Sequence, residues 1–343
     1  MDEKLHFADL STQLLDWYDE AARELPWRIG PAARARGEKP DPYRVWLAEI
    51  MLQQTTVAHA TRYYLAFTAR WPTVADLAAA QDEDVMAAWA GLGYYARARN
   101  LLKCAREVAA AEQWPDTVEG LRRLPGIGPY TAGAIGALAF GRQAAAVDGN
   151  VDRVFARLMA LKGDWKLEKE HLKSVVQSLV PADRPAEFAE ALMDLGATIC
   201  APKSPNCLIC PLRHLCAGET EGDPARYPIK PKKAPKPARV GHVYIGLGPN
   251  QTVLTETRPE KGLLGGMLGL PTSDWSSAGI DPQFPFDSTW EEIGEVRHVF
   301  THFSLTLTVW RAPGATGASL TSVEHAASGL PSVFVKSLKR ALA

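Results

Sequence analysis

Residues 124–140 read LPGIGPYTAGAIGALAF, and they are the strongest guide to the fold of the first two thirds of the chain. Gly126 and Gly128 flank one apolar residue and allow a tight turn whose backbone N–H groups point outward. Pro129 suits the first turn of a following helix, where its missing N–H would have no partner. Such a turn can bind an anion without a charged side chain, although a plain helix–helix turn also fits.

Amphipathic helical patterns extend to both sides of this turn. Apolar residues recur at steps of three and four from Phe7 to Leu25, which predicts one helix. Further helices fit residues 43–58, 59–69, 82–90, 94–111, 130–139, 151–161, 169–178 and 187–196. Residues 31–40 read as a mobile surface loop, because they are polar and bounded by prolines.

The pattern changes after residue 217. Residues 218–239 are rich in Pro and Lys and predict an extended basic linker. The segments HVYIGL, TVLTET and FSLTLTVW alternate with the period of a strand, and a last helix fits 331–342. We therefore expect a multidomain protein, with an all-α region at 1–217 and a separate α+β domain at 240–343.

The overall composition of the chain excludes few classes of function. The 343 residues carry a formal charge of −1, and 46% of them are hydrophobic, enough for real cores. Basic residues cluster at 97–106 and 226–239, which suits either a solvated face or contact with nucleic acid. The N-terminus shows no secretory signal, and no apolar run approaches the roughly 20 residues that span a bilayer. We expect a cytoplasmic monomer, associated with the nucleoid if bacterial.

Four cysteines lie close together in the spacing C-x6-C-x2-C-x5-C. Their thiolates can converge on one metal centre, and zinc and an iron–sulfur cluster are both compatible with four cysteines. Two disulfides or unligated thiols are the alternatives, but a chain without a secretory signal favours reduced cysteines. The four are Cys200, Cys207, Cys210 and Cys216.

Two carboxyl groups stand in unusual surroundings. Glu49 lies in the apolar helix VWLAEIMLQQT, so it is either a helix-face glutamate paired with a lysine or arginine or a buried acid whose pKa should rise. Asp148 follows the small apolar residues of AAAVDGN and precedes a helix, so it is either an ordinary N-cap or a carboxylate in a dry site. One acid that protonates a leaving base and one carboxylate that stabilises a cationic sugar are what nucleoside cleavage needs.

The motifs together resemble the adenine-DNA glycosylase family (MutY type) of the endonuclease III superfamily. LPGIGPYTA is similar to a helix-hairpin-helix DNA-binding motif, and the cysteine spacing to the family's cluster loop, which implies a 4Fe-4S cluster. The resemblance covers about residues 15–217 and implies a six-helix barrel module at about 29–139 and a cluster module at about 1–28 plus 140–217. The other matching strings are WLAEIMLQQT, GLGYYARARNL, VDGNVDRVFAR and LMDLGATIC.

The resemblance also implies roles for individual residues. Glu49 matches the general acid, Asp148 the carboxylate that supports the oxocarbenium ion, and Tyr130 and Asn150 residues beside it. The positions matched to contacts with double-stranded DNA are Arg28, Leu52, Gln54, Tyr94, Gly126 and Gly128. The positions matched to the pocket for the base that flips out of the duplex are Arg23, Leu25, Trp27 and Glu190. Residues 31–40 have no clear counterpart in the family.

Position 130 separates two activities. Endonuclease III-like members that nick the strand carry a lysine there, whose amine forms a Schiff base. A phenol cannot do so, and Tyr130 therefore predicts a monofunctional glycosylase that releases adenine mispaired with 8-oxoguanine or guanine. The alternatives are an endonuclease III-like glycosylase/lyase acting on oxidised pyrimidines and a non-catalytic DNA-binding protein.

The C-terminal region resembles a Nudix-type domain. It lacks the glutamate-rich REXXEE string that holds Mg²⁺, since the glutamates of WEEIGEVRH have another spacing. A nucleotide pyrophosphohydrolase is therefore disfavoured, and a recognition domain for 8-oxoguanine is expected. Phe300, Thr301 and His302 resemble the family's recognition loop, although this segment is also compatible with the start of a strand.

Overall fold

The computed structural model describes residue 7 and residues 9–229, 235–259 and 262–343. The described residues form two compact units. One takes its residues from 1–92 and 97–232, and the other from 93–96 and 233–343. None of the helices in the described part of the chain is both long enough and apolar enough to cross a membrane.

The first unit is helical. Its helices begin and end at caps of familiar chemistry: Asp41 caps α3, Thr56 caps α4, and Gly141 ends α9 in the left-handed region at φ +62°. The helices are α1 Leu10–Ala21, α2 Pro31–Ala35, α3 Pro42–Met51, α4 Val57–Arg70, α5 Val74–Ala78, α6 Asp82–Trp89, α7 Ala96–Ala111, α8 Val118–Leu121, α9 Pro129–Phe140, α10 Gly149–Leu158, α11 Trp165–Leu179, α12 Pro185–Thr198 and α13 Ala217–Thr220.

Helices α9 and α12 lie at the centre of this packing. Helix α9 packs against α3, α8 and α12, and α12 also packs against α1 and α10. Small residues allow the close approach: a Cβ on Gly133 would lie 2.6 Å from the carbonyl oxygen of Ala145, and one on Gly196 would lie 2.6 Å from the Cβ of Asn150. These contacts bring α3, α9, α10 and α12, which carry the candidate residues, into one group.

Several elements differ from the sequence expectation, and three of them lie near the candidate residues. The helix predicted at 43–58 ends at Met51, because Arg97 takes the carbonyl oxygens of Ile50 and Gln53 at 3.0 and 2.6 Å and a turn follows in which Gln54 has φ +61°. The first helix ends at Ala21 rather than near Leu25. The segment 31–40, predicted as a loop, contains α2.

The segment predicted as a linker is partly packed. Tyr227 is only 2% exposed, and its carbonyl oxygen accepts a hydrogen bond from Arg157 at 3.3 Å. Residues 230–234, which hold three of the lysines of the basic cluster, lie outside the described residues. The stretch 224–226 forms a 3-10 turn, and the first strand begins at Ala238.

The second unit is a five-stranded mixed sheet with helices, in the order β5-β6-β1-β2-β7, and a separate pair β3-β4. The alternation expected in FSLTLTVW is present, since Leu305, Leu307 and Val309 are buried while the threonines between them are not. Strand β5 was not predicted from the sequence. The elements are β1 Ala238–Gly248, β2 Thr252–Leu254, β3 Glu256–Thr257, β4 Leu268–Gly269, β5 Glu291–Val299, β6 Ser304–Pro313, β7 Leu320–Ser322, α14 Val323–Gly329 and α15 Ser332–Leu342.

Candidate active site

A cavity of about 550 Å³ in the helical unit collects most of the candidate residues. We call it the acidic cavity, because three carboxyl groups from three helices line it. Its volume is in the range of pockets that hold small molecules. The sequence-predicted residues on its walls are Arg23, Leu25, Trp27, Arg28, Glu49, Leu52, Gln54, Tyr130, Asp148, Asn150 and Glu190.

Glu49 is buried on the inner face of α3. Its residue is 6% exposed, and among the described residues no lysine, arginine or histidine forms an ion pair with it. Burial raises the pKa of Glu49 to about 7, and the hydroxyl of Tyr130 partly opposes that rise. About half of the Glu49 carboxyl groups are therefore protonated at neutral pH, and most of them below it.

Tyr130 connects the glycine turn to the cavity. Gly128 is the N-cap of α9 and Pro129 its first residue, so Tyr130 lies in the first turn of the helix. Burial, and then the neighbouring carboxyl groups of Glu49 and Asp148, raise the pKa of Tyr130 well above its usual value. The side chain is thus a neutral phenol that can donate or accept a hydrogen bond inside the cavity.

Asp148 is both a helix cap and a cavity wall. Its Oδ1 accepts hydrogen bonds from the backbone N–H groups of Asn150 and Val151, each at 2.8 Å, and its Oδ2 accepts one from the Asn150 side chain at 2.9 Å. These donors suit a carboxylate anion and fix its orientation. We call the surface formed by Glu49, Tyr130 and Asp148 the acid wall.

A chain of hydrogen bonds joins Asp148 to the first cysteine. Arg153 donates to the Asn150 side-chain oxygen at 2.8 Å, to the Gly196 carbonyl at 2.6 Å and to the Cys200 carbonyl at 2.9 Å. Because Asn150 in turn bonds Asp148, the conformation of the cysteine segment helps to position the carboxylate.

The four clustered cysteines line one second cavity, together with the buried Arg157. Arg157 donates to the Cys200 sulfur at 3.2 Å and to the carbonyl oxygens of Cys200, Ala201 and Pro202 at 3.2, 2.8 and 2.8 Å. All five cysteines lie in the described residues and none is in a disulfide. No carboxylate of the described chain forms an ion pair with Arg157, so its charge suits a negatively charged group in this cavity.

Four thiols line this second cavity, as does the Glu219 carboxylate, which pairs with Arg213 at 2.7 Å. Within the described ranges, no three His, Cys, Asp or Glu side chains are placed to hold a metal ion. Four cysteine thiolates suit either zinc or an iron–sulfur cluster, and the buried Arg157 beside them suits a group with net negative charge.

Two arginines, Arg23 and Arg28, also line the acidic cavity. Asp194, which is fully buried behind them, accepts from the Arg23 backbone at 2.9 Å and side chain at 2.6 Å, and its two oxygens accept from Arg28 at 2.8 Å each. Glu190 lies one helical turn earlier on α12 and accepts from the Tyr18 hydroxyl at 2.7 Å. We call the group of Arg23, Arg28 and Glu190, which line the cavity, together with Arg34 and Asp194, which bond to them, the arginine wall.

Sequence reasoning missed part of the arginine wall. Asp194 was not singled out, although an acid four residues after Glu190 in the apolar stretch FAEALMDLGAT shares its helix face. Arg34 belongs to a segment that was read as a surface loop. Tyr18 lies in the α1 stripe, where an aromatic residue suggests only packing. Burial raises the pKa of Glu190, and Arg28 and Arg34 oppose that rise.

The remaining candidates lie outside this cavity or at its rim. Gly126 and Gly128 are exposed in the turn before α9, where Gly126 has φ +77° and a Cβ would lie 2.8 Å from the Cβ of Asn100. Tyr94 does not line the cavity; it has φ +51° and is 53% exposed. Gln54 is exposed at the rim. Arg28, matched to DNA contact, faces inward and bonds Asp194.

Phe300, Thr301 and His302 form the turn between β5 and β6 in the second unit. The backbone N–H of Phe300 donates to the Phe303 carbonyl at 2.8 Å, and the Phe300 ring stacks on Trp275 at 5.9 Å between centroids. Thr301 and His302 are exposed. The turn is anchored by its aromatic residue, and the Thr301 hydroxyl forms a hydrogen bond of 3.0 Å with the Tyr94 hydroxyl.

Two family models match the chain. One, described as HhH-GPD superfamily base excision DNA repair protein, matches residues 47–179. The other, described as a NUDIX domain, matches residues 242–340. The helical residues of the acid wall fall in the first range, and the β5–β6 turn falls in the second.

Relatives and solved structures agree with these models. The adenine DNA glycosylase of Homo sapiens is 35% identical and is matched over 87% of this chain and 65% of its own length. That of Rattus norvegicus is 34% identical, over 90% of this chain and 71% of its own length. That of Mycolicibacterium smegmatis is 40% identical, over 62% of this chain and 70% of its own length. The chain thus spans 65% of the length of the human relative.

A thermostable thymine-DNA glycosylase structure is 28% identical, with a TM-score of 0.56, and covers 64% of this chain and 100% of its own. A non-covalent endonuclease III–DNA complex shares the fold, with 24% identity, a TM-score of 0.53 and coverage of 65% of this chain and 99% of its own. These matches confirm the predicted glycosylase fold followed by a Nudix-like domain. The chain belongs to the adenine DNA glycosylase family.

Proposed function

We propose that this protein is a monofunctional DNA glycosylase that hydrolyses the N-glycosidic bond of adenine mispaired with 8-oxoguanine or guanine in double-stranded DNA. The observation that carries the proposal is the pairing, in one cavity, of a buried Glu49 without an ion-pair partner and an Asp148 held by three N–H donors. The names and identities of the relatives support adenine as the base.

Glu49 supplies the proton. A carboxyl group with a pKa of about 7 is still protonated in a large fraction of molecules at neutral pH, and it gives up its proton more readily than a phenol. Protonation of a ring nitrogen of adenine turns the base into a better leaving group. The cavity walls exclude water around Glu49, so that its proton is transferred to the base and not lost to solvent.

Asp148 stabilises the positive charge that develops on the sugar. Its oxygens are already oriented by Asn150 and Val151, so no reorganisation is needed when the C1′–N9 bond lengthens. Water then adds to C1′ and loses a proton, which returns Glu49 to its acid form, and the products are free adenine and an abasic site. The two carboxyl groups therefore divide the work through their different surroundings.

Tyr130 has no amine with which to attack the sugar, so the proposed enzyme does not form a Schiff base. Its hydroxyl acts on Glu49 and contributes to placing the proton donor. Incubation with end-labelled duplex tests this point: strand breaks should require hot alkali. Efficient breakage without alkali, with borohydride trapping of enzyme on DNA, would show a lyase instead.

The four cysteines of the second cavity would hold a 4Fe-4S cluster, as family membership also supports. Such a cluster supplies a rigid cross-link and a redox-active group, and hydrolysis of the glycosidic bond requires no electron transfer. In this chain Arg157 and Arg153 tie the cysteine segment to α10. The proposed contribution of the segment to the reaction is thus to keep Asn150 and Asp148 in place.

We assign reading of the opposing base to the second unit. The exposed His302, and the exposed Thr301 whose hydroxyl shares a hydrogen bond with that of Tyr94, lie on a turn anchored by Phe300 and provide polar groups for a base edge. In the first unit, the exposed N-terminus of α9 after Gly126 and Gly128 suits a backbone phosphate. The division at residues 217 and 240, and the two modules within 1–217, belong to the same proposal.

The decisive assay measures adenine release from duplexes that differ only in the base opposite adenine. Release opposite 8-oxoguanine or guanine, and little release opposite thymine, is the expected result. Release of oxidised pyrimidines without release of adenine would replace the proposal by an endonuclease III-like activity. Substitution of Thr301 and His302 by Ala should reduce the preference for 8-oxoguanine more than the rate on adenine opposite guanine.

A further inference from the structure

Arg34 lies in the segment 31–40, which has no clear counterpart in the family pattern. The short helix α2 begins after Gly30 with Pro31 at its first position, and backbone bonds from Gly37 to Arg34 and from Glu38 to Ala33 close the turn after it. The Arg34 side chain is 14% exposed and donates from Nε to the Ile29 carbonyl at 3.1 Å. The guanidinium is therefore held in one orientation.

The free end of that guanidinium reaches Glu190. Arg34 Nη2 donates to Glu190 Oε1 at 3.3 Å, and Tyr18 donates to the other oxygen. Arg28 is also close, with 3.8 Å between its Nε and Oε1, but its hydrogen bonds go to Asp194. Among the described residues, Arg34 is thus the only hydrogen-bond donor to Oε1 of Glu190.

Arg34 also lies where two cavities meet. A third cavity, of about 1020 Å³ and distinct from the cysteine-lined one, is lined by Arg34 and by neighbouring residues of the segment 31–40. Leu138 lines this cavity and the acidic cavity alike, and the Arg34–Glu190 bond joins a residue of one to a residue of the other. Removal of the Arg34 side chain would open the arginine wall at Glu190.

We propose that Arg34 is a positioning residue, which fixes the Glu190 carboxylate on the wall of the acidic cavity and closes that wall behind the extruded base. This inference rests on the proposed function, since it concerns the pocket that receives the base. A buried carboxylate that loses one of its hydrogen-bond donors turns or takes up a proton, and either change alters the surface that the base meets. Because Arg34 lies in the segment 31–40, this positioning role is a contribution of that segment.

The test compares Arg34→Ala with Arg36→Ala. Arg36 lies two residues along the same segment, pairs with Glu38 at the surface and is a matched control. The assay is single-turnover release of adenine at saturating enzyme, and duplex affinity is measured separately in the Glu49→Gln background so that no substrate is consumed. Arg34→Ala should lower the release rate about 10- to 100-fold without a change in duplex affinity, the range for a lost hydrogen bond to a charged group.

A double-mutant cycle separates positioning from a general structural effect. If Arg34 acts through Glu190, Arg34→Ala adds little to the loss already caused by Glu190→Ala. Arg34→Lys, which keeps the charge but not the two-point hold, should recover part of the rate. The inference is overturned if the rate losses of Arg34→Ala and Glu190→Ala multiply in the double variant, or if Arg34→Ala releases adenine as fast as Arg36→Ala. In either case, adenine release by the wild type still upholds the proposed function. A wild type that releases no adenine overturns both.

Discussion

The acid wall and the arginine wall of the same cavity hold buried carboxyl groups in opposite surroundings. On the acid wall, Glu49 has no ion-pair partner in the described chain, and burial raises its pKa to about 7. On the arginine wall, Glu190 and Asp194 face three guanidinium groups at 2.6 to 3.8 Å. One wall can therefore donate a proton at neutral pH, while on the other wall arginines pair with both carboxyl groups and oppose the effect of burial on the pKa of Glu190.

The difference shows how burial alone does not decide what a carboxyl group does. Both walls remove their carboxyl groups from water, but among the described residues only the arginine wall places cations beside them. Asp148 is intermediate, because backbone and amide N–H groups replace water there instead of a cation. Four changes break or sharpen this comparison.

Asp148→Asn should have a large effect on catalysis, second only to that of Glu49→Gln. Asparagine caps a helix about as well as aspartate, so α10 should stay intact while the negative charge beside the sugar is lost. We expect the single-turnover rate of adenine release to fall by about 10²- to 10³-fold, as for the loss of a transition-state stabiliser. Thermal unfolding is the control, and a rate near that of the wild type would remove Asp148 from the mechanism.

Asp194→Asn should have the largest effect on stability. It leaves the partly and fully buried guanidinium groups of Arg23 and Arg28 without their carboxylate, which we expect to lower the free energy of unfolding by about 3 kcal/mol. Glu38→Gln, at an exposed ion pair, should change it by under about 1 kcal/mol. Denaturant titration measures both. Equal stabilities would mean that the arginine wall is not held by its ion pairs.

The pH dependence of stability and of the rate of base release should reflect the ionisation of Glu49. Its pKa is raised, so the folded protein binds this proton more tightly than the unfolded chain does, and the associated stability, complete below the ordinary value of 4.5, is lost as the pH rises through about 7. The rate of base release should fall over the same limb, by about tenfold per pH unit above 7. A rate that rises across pH 7 would contradict this. In Glu49→Gln the stability loss between pH 4.5 and 7 should shrink.

Tyr130→Phe should have the smallest effect. The Tyr130 hydroxyl lowers the pKa of Glu49, against the larger effect of burial, so its removal should move the alkaline limb of the rate profile to higher pH. The cavity keeps its shape because the ring remains. Base release at pH 6 should be close to that of the wild type, and a limb that moves to lower pH would show that Tyr130 does not act through Glu49.

The sequence predicted the acid wall better than the arginine wall for a physical reason. Glu49 and Asp148 interrupt apolar or small-residue stretches, and such an interruption is visible in one segment. The arginine wall forms only when α1, the segment after it, α2 and α12 meet, at separations of more than 150 residues. No local pattern announces that Arg34 and Glu190 will be neighbours.

Prediction of the fold from the sequence was limited in the same way, because only local patterns could be recognised. Long amphipathic helices and the alternating strand β6 were predicted close to their observed bounds, because their periodicity is local. The helix at 43–58 was predicted too long, since its end depends on Arg97 from a distant helix. Strand β5 was missed because its charged, glycine-containing sequence becomes a strand by pairing with β6 across a bulge.

Glu49→Gln tests the central claim most directly, that a buried carboxyl group donates the proton which releases the base. Glutamine has the same shape and no acidic proton, so we expect adenine release to fall by about 10²- to 10⁴-fold while affinity for the mismatched duplex is kept. Both quantities are measured on the same preparation, by single-turnover release and by equilibrium binding. A variant that binds and releases adenine at the wild-type rate would contradict the account.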